Sequence, residues 1–390
     1  MTSAASHHAS GPDHHLAGGV LTVDLGALAT NYRALAGRAR PAATAAVVKA
    51  DAYGLGIAQV VPALVKAGCS RFFVALPDEG ISVRKAAPDA QIFVLSGVFS
   101  AEGAASFREH RLIPVLNSPL DIAIWSSDGW AGSTPLPCAI HVDTGMNRLG
   151  LTLEEARGFA RENALTQAVN VVLVVSHLAC ADDPAHQLNA RQLESFQEVR
   201  ALFQGIESSL ANSAGIMIDG EFRCELTRAG IALYGGSAIG TIRNPMLPVV
   251  TAEARIIQLR RVPAGTPVGY GASAQLSRDS LLAVVGVGYA DGYHRSASGA
   301  GVALRRAVPQ GGHGFVAGRR VPLIGRISMD LTAFDVTEIG TDEISRGHFI
   351  ELFGPNLSID EAAAAAGTIA YELLTGLGHR YHRVYVGGEA

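Results

Sequence analysis

Residues 45–56 read Ala45-Ala46-Val47-Val48-Lys49-Ala50-Asp51-Ala52-Tyr53-Gly54-Leu55-Gly56, and the reading of the fold starts from them. Four apolar residues precede Lys49 and form the pattern of a buried strand, while Gly54 and Gly56 mark a tight loop. An ammonium at the end of a buried strand is costly unless it is paired or used chemically as an amine. Lysines in such places have depressed pKa values and form imines with carbonyl compounds. For an isolated lysine there, a side chain that simply reaches solvent would be the favoured reading, so the rest of the chain has to decide.

Outward from Lys49, short β-branched runs alternate with Ala-, Leu- and Arg-rich helical stretches from Val20 to about Gly236. The expected strands are Val20–Leu25, Ala45–Lys49, Phe72–Leu76, Ile92–Leu95, Ile113–Leu116, Ala139–Val142, Val171–Val175 and Ile231–Leu233. Segments such as Leu153–Asn163 and Ala190–Phe203 carry helical periodicity between them. Repeated β-then-α units predict an α/β fold with a (β/α)8 TIM-type barrel. No GxGxxG follows the first strand, which counts against a Rossmann domain.

After Pro245 the pattern becomes mainly β. Val249–Leu259, Val268–Ala272, Leu281–Val287, Val321–Ile324, Leu331–Val336 and Phe349–Leu352 read as strands, interrupted by one helix around Ser358–Ala366. The expected organisation is a polar, disordered tail over 1–18, a barrel over 19–244 and a mainly β domain over 245–390. In a barrel, chemistry gathers at the carboxyl ends of the strands. Lys49, Arg148, His177, Asn212-Ser213 and Arg228 all fall at such ends.

With 390 residues, 48% hydrophobic and 17% charged, the chain can bury a large core. A net charge of −4 gives no reason to expect nucleic-acid binding. Cys69, Cys138, Cys180 and Cys224 are scattered without CxxC spacing, which argues against zinc or a disulfide framework and fits a reducing cytoplasm. No metal site is expected. Residues 1–18 lack the apolar segment of a signal peptide, and no apolar run reaches the length of a membrane span.

The motifs AVVKADAYGLG, HVDTGMNRLG, SHLACAD, ANSAG, LTRAGIALYG, VGYGA, VGYADG and IGRISMD follow one another in this order. Taken together the chain resembles the alanine racemases, pyridoxal phosphate enzymes of fold type III, over nearly its whole length after the tail. The resemblance implies interconversion of L- and D-alanine by two bases in a homodimer with shared sites. The D-alanine would serve peptidoglycan synthesis, or the reaction would serve alanine catabolism. Lys49 would hold the cofactor and work on one face of the substrate. Tyr270 of the partner chain would work on the other. A phenol with a pKa of roughly 10 is a poor base near neutrality without cationic neighbours. The resemblance supplies these through His177, which links Tyr270 toward Arg228, and through Arg148.

By the same resemblance Arg228 faces the pyridine nitrogen. Arginine only donates, so that nitrogen stays an unprotonated acceptor, and the ring becomes a weaker electron sink. Without the motif, Arg228 would read as a surface partner of Glu225. Phosphate contacts are expected from Tyr53, Ser213 and the amides of Gly230 and Ile231, supported by Asn212. The substrate carboxylate would meet Arg148 and the amide of Met329. Tyr289 and Asp330 resemble entrance residues, although Tyr289 also fits a core position of the β domain.

Two departures stand out. His141 occupies a place where many relatives carry a lysine that becomes carbamylated; imidazole forms no such stable carbamate, so no modified lysine is expected there. A phosphate-binding tyrosine of some relatives aligns with His379 rather than Tyr381, and the role stays unassigned. Two other functions compete with alanine racemisation: a serine or broad-specificity racemase of this fold, and a non-catalytic pyridoxal phosphate-binding regulator. A regulator of that kind would lack the β domain and Tyr270.

Overall fold

A computed structural model of the protein describes residues 8–127, 135–166, 168–218, 220–299 and 311–388. The chain divides into two compact units, one built from Leu28–Leu233 with Ser237–Met246 and the other from Met1–Ala27, Tyr234–Gly236 and Leu247–Ala390.

The first unit is the (β/α)8 barrel. Its eight strands are Ala43–Val47, Arg71–Val74, Gln91–Val94, Ile113–Leu116, Pro137–His141, Asn170–Val175, Glu207–Ser209 and Leu226–Ala229. They pair in parallel in chain order, and Leu226–Ala229 returns to pair with Ala43–Val47. Runs such as Phe72-Phe73-Val74 and Ile92-Phe93-Val94 are buried throughout rather than alternately. That is the signature of strands covered on both faces. Where Leu226–Ala229 meets Ala43–Val47, the buried hydroxyls of Thr44 and Thr227 lie 3.0 Å apart and satisfy each other. On the opposite side the seam is held by single bonds, Glu225 N–H to Ser208 O (3.2 Å) and Arg228 N–H to Ala211 O (2.9 Å).

Two expected barrel strands are replaced. Residues 19–24 do form a strand, but Gly19–Asp24 pairs with Val250–Val262 and His382–Val386 in the β unit. The apolar run at Ile231 is a 3-10 turn, Ile231–Tyr234, and the eighth barrel strand lies just before it at Leu226–Ala229. Glu207–Ser209, only three residues long, completes the set.

In the β unit Val250–Val262 is the spine, pairing with Gly19–Asp24, Ser280–Val285 and Phe349–Phe353. Its first half alternates buried and half-buried residues, the period expected for a strand with one face in the core. The expected strand at Val268–Ala272 stops at Val268. The chain then turns through Tyr270–Ala272 with left-handed values at Gly269, Gly271 and Ala272 before returning as Ala274–Gln275. Ile359–Ala366 is a helix opened by a capping box between Ser358 and Glu361 and closed by Gly367 in the left-handed region.

The polar tail differs from its expected disorder. His8–Ser10 pairs with His382–Val386, the His382 imidazole Nδ1 lies 2.9 Å from Pro12 O, and Arg255 donates to Ala17 O at 3.0 Å. Residues 1–7 lie outside the described residues. No helix of the described residues is long and apolar enough to cross a membrane, and no cluster of three or more His, Cys, Asp or Glu among them is arranged to hold a metal ion.

Candidate active site

Lys49 follows the first barrel strand, and the chain next enters an unusual turn. Ala50, Asp51, Ala52 and Tyr53 all take left-handed helical angles, with φ between 52° and 57°. For residues with a Cβ this costs about 1–2 kcal/mol each, so the surroundings must impose it. They do so through specific bonds. Glu79 accepts from Ala50 N–H at 2.6 Å and from the amides of Ala75 and Leu76, and Asp51 accepts from Ile57 N–H at 2.8 Å. Lys49 keeps access to solvent at the open barrel mouth. The protein packed around its amine nevertheless lowers the pKa, chiefly by burial and then through the charge of Arg148, against an opposing pull from Glu79.

The left-handed turn also places Tyr53. Its ring is buried, and a Cβ built on Gly230 would fall 2.6 Å from the Tyr53 hydroxyl. Only glycine lets that hydroxyl approach the backbone here. Ser213 closes the same corner, its Oγ accepting from Gly230 N–H at 2.8 Å. The Asn212 side chain caps the turn, accepting from Gly215 N–H at 3.0 Å. The hydroxyls of Tyr53 and Ser213 and the backbone at Gly230 and Ile231 thus meet in one corner of the barrel mouth, where Ser213 Oγ already takes the Gly230 N–H. This donor set suits an oxyanion such as a phosphate.

Arg228 is only 5% exposed and has no carboxylate partner among the described residues. Glu225 instead pairs with Arg200 and accepts from Ser208. Nη1 of Arg228 donates to Ser209 O (2.8 Å) and Ser209 Oγ. Nη2 donates to Ser176 O, to Leu210 O (3.3 Å) and to His177 Nδ1 (3.3 Å). No acceptor is bonded to Nε among the described residues, so one N–H of a buried guanidinium remains available. Burial lowers its pKa only to about 10, which leaves it protonated at neutral pH.

A guanidinium cannot accept, so Nδ1 of His177 must, and the ring proton sits on Nε2. Burial and then Arg228, Arg148, Lys49 and His141 push this imidazole down to about 3, so it is neutral at pH 7. His141 is neutral for similar reasons: burial, then Arg228, bring it to about 4, with Asp143 opposing. Its Nδ1 lies 2.8 Å from Asn117 Oδ1. Asn117 donates its Nδ2 to Leu95 O (3.0 Å) and Val115 O (2.8 Å), which fixes the amide orientation. His141 therefore donates from Nδ1 and keeps an Nε2 lone pair.

Arg148 lies exposed on the loop that follows, whose two ends meet where Leu151 N–H bonds His141 O at 2.8 Å. Behind the site, the fully buried Gln192 donates to His177 O (2.9 Å) and accepts from Ala179 N–H (2.9 Å). Asn117, Glu79 and Gln192 escape detection in the sequence: Asn117 and Gln192 work through partners elsewhere in the chain, and Glu79 reads as the local cap of its own helix until its bond to Ala50 is seen.

The structure therefore gathers Lys49, Tyr53, Arg148, His177, Asn212, Ser213, Arg228, Gly230 and Ile231 in the barrel unit. Tyr270, Tyr289, Met329 and Asp330 belong to the β unit. There Tyr270 is 70% exposed at the tip of its turn, with Tyr289 at 42% and Met329 at 53%. That exposure removes the core reading of Tyr289. Tyr381 is buried in the β unit, its hydroxyl pushed up chiefly by burial, whereas His379 is exposed.

The sequence matches the alanine racemase N-terminal domain over residues 23–238 and the alanine racemase C-terminal domain over 249–385. It is 51% identical over 377 residues to the alanine racemase of Rhizobium meliloti (strain 1021), covering 97% of this chain and 99% of that protein. It is 52% identical over 366 residues to the biosynthetic alanine racemase of Agrobacterium fabrum, covering 94% and 93% respectively. In three dimensions it matches the crystal structure of alanine racemase from Bartonella henselae with covalently bound pyridoxal phosphate. That match has a TM-score of 0.87 at 36% identity and covers 95% of this chain and all of that one. With matches that span both units at such identity, the chain belongs to the alanine racemase family.

Proposed function

We propose that the protein interconverts L- and D-alanine with pyridoxal phosphate as cofactor, using Lys49 and Tyr270 as proton carriers on opposite faces of the substrate. The observation that carries this reading is one barrel mouth in which an amine of lowered pKa shares the space with a buried guanidinium whose Nε–H is unspent. When bound, the cofactor supplies an electron sink for the pair left on Cα as its proton departs.

Each residue then has a task set by its chemistry. The Lys49 amine is the nucleophile toward the cofactor aldehyde. Tyr53 and Ser213 hydroxyls and the Gly230 and Ile231 amides hold the phosphate, with Asn212 fixing their turn. Arg228 donates to the ring nitrogen and keeps it unprotonated. Lys49 moves the Cα proton on its own face.

Tyr270 moves the proton on the other face, its hydroxyl within the influence of the neutral His177 Nε2–H and of Arg148. Arg148 and the Met329 amide bind the substrate carboxylate, and Tyr289 and Asp330 line the entrance. Tyr270, Tyr289, Met329 and Asp330 come from a second copy in a homodimer. All four cysteines are free, in keeping with a cytoplasmic setting.

A polarimetric or coupled assay of the purified protein across L- and D-amino acids tests the proposal. Racemisation of alanine well above serine is expected. Comparable rates on many amino acids would make it a broad-specificity racemase, and none at all would favour a binding protein.

A further inference from the structure

We propose that Arg380 is a positioning residue that locks together the turns 288–292 and 328–331 and thereby sets the size of substrate side chain the enzyme accepts. This rests on the reading above, in which Tyr289 and Met329 on these turns face the substrate.

The Arg380 guanidinium spans both turns. Its Nε and Nη2 donate to the two carboxylate oxygens of Asp291 at 2.6 and 2.8 Å, while Nη1 donates to Asp330 Oδ1 at 2.8 Å. Asp291 is only 3% exposed, and its Oδ2 also accepts from Gly288 N–H at 2.9 Å. One buried carboxylate therefore holds the residue before Tyr289 and receives the fork of Arg380.

The two turns already lie back to back. Tyr289 N–H donates to Ser328 O at 3.1 Å and Ala290 N–H to Met329 O at 3.0 Å. A Cβ on Gly288 would fall 2.3 Å from Ser328 O, so the contact requires glycine. The segment that carries Arg380 is itself fixed. Gly378 N–H donates to Asp291 O at 3.1 Å, the buried Arg383 donates to Leu377 O and Gly378 O, and the neighbouring Tyr381 side chain is buried.

Only a planar fork with several fixed donors can serve two carboxylates on two turns at once. A lysine keeps the charge but not this geometry. Without the guanidinium, Asp291 would keep its charge in a buried place with its main partner gone, and the turns would shift to find water or another donor. Because those turns carry Tyr289 and Met329, the shift reads out in substrate recognition and leaves the cofactor corner in the other unit untouched.

The test compares holoenzymes of wild type, Arg380→Gln, Arg380→Lys and Tyr289→Ala, measuring kcat and KM for alanine, serine and 2-aminobutyrate together with the visible absorbance of the cofactor. Arg380→Gln is expected to raise KM for alanine about tenfold with kcat within about threefold, and to narrow the preference for alanine over the larger substrates by about fivefold. Arg380→Lys should recover part of both losses, with cofactor absorbance unchanged throughout. Should Arg380→Gln fail to fold, Arg380→Lys must still show the rise in KM, and a wild-type KM there overturns the proposal. If Tyr289→Ala alters selectivity and Arg380→Gln does not, Arg380 is only structural. If Tyr289→Ala alters nothing either, these turns do not face the substrate, and the reading of the site falls with the proposal.

Discussion

At the scale of single residues, the protein controls protonation through burial and fixed partners. His177 and His141 lie below the ordinary histidine pKa of about 6.5, at about 3 and about 4. The unfolded chain therefore binds protons that the folded one refuses, and their contribution to stability is present above about pH 6.5 and lost as pH falls toward 4. Urea unfolding of the cofactor-free protein should show a loss of about 2 kcal/mol per histidine between pH 7.5 and 5, smaller in His141→Asn. A flat profile would mean that these imidazoles are not held neutral. Because His141 bonds Asn117 and no lysine stands in its place, added bicarbonate should leave activity unchanged and the mass of the active protein should show no carbamate. Gly230→Ala places a Cβ 2.6 Å from the Tyr53 hydroxyl, so cofactor retention on dialysis should fall at least tenfold, about 1.4 kcal/mol or more. Retention equal to wild type would remove Tyr53 and Gly230 from the phosphate corner. Lys49, Arg148, His177 and Arg228 were legible in the sequence because each sits inside a motif. Asn117, Glu79 and Gln192 were not, since a lone polar residue announces nothing until the bonds it makes to distant parts of the chain are known.

At the scale of elements, six of the eight barrel strands could be read from their apolar runs. The errors have a common physical cause. A short buried run signals a covered strand but does not name its neighbour, so Gly19–Asp24 looked like a barrel strand while pairing in the β unit. The run at Ile231 is equally apolar yet takes a 3-10 turn, because the strand before it ends at Ala229. The left-handed turn after Lys49 was legible only as a loop, since Ala and Tyr carry no signal for positive φ and a single Asp carries only a weak one. This turn makes a test of its own. Ala50 is exposed and left-handed, so Ala50→Gly should stabilise the protein by about 0.5–1 kcal/mol in urea unfolding rather than costing what glycine costs in an ordinary helix. Destabilisation by a similar amount would show that the turn is right-handed in solution.

At the scale of the whole molecule, the proposed bases belong to different units, Lys49 to the barrel and Tyr270 to the β unit. Tyr270, Tyr289, Met329 and Leu331 are each exposed in the β unit. Tyr270→Phe should slow racemisation by about 10²–10⁴ with the cofactor absorbance retained, since only a proton carrier is removed. Full activity in that variant would end the two-base assignment. The claim of shared sites has a sharper test in mixing. Lys49→Ala and Tyr270→Phe should each be nearly inactive alone, and their subunits can be separated, combined and allowed to reassociate. If Lys49 of one copy works with Tyr270 of the other, random reassociation leaves half the dimers mixed, each with one intact site, and activity should return to about one quarter of wild type. No recovery from mixed dimers that have demonstrably formed would contradict the account.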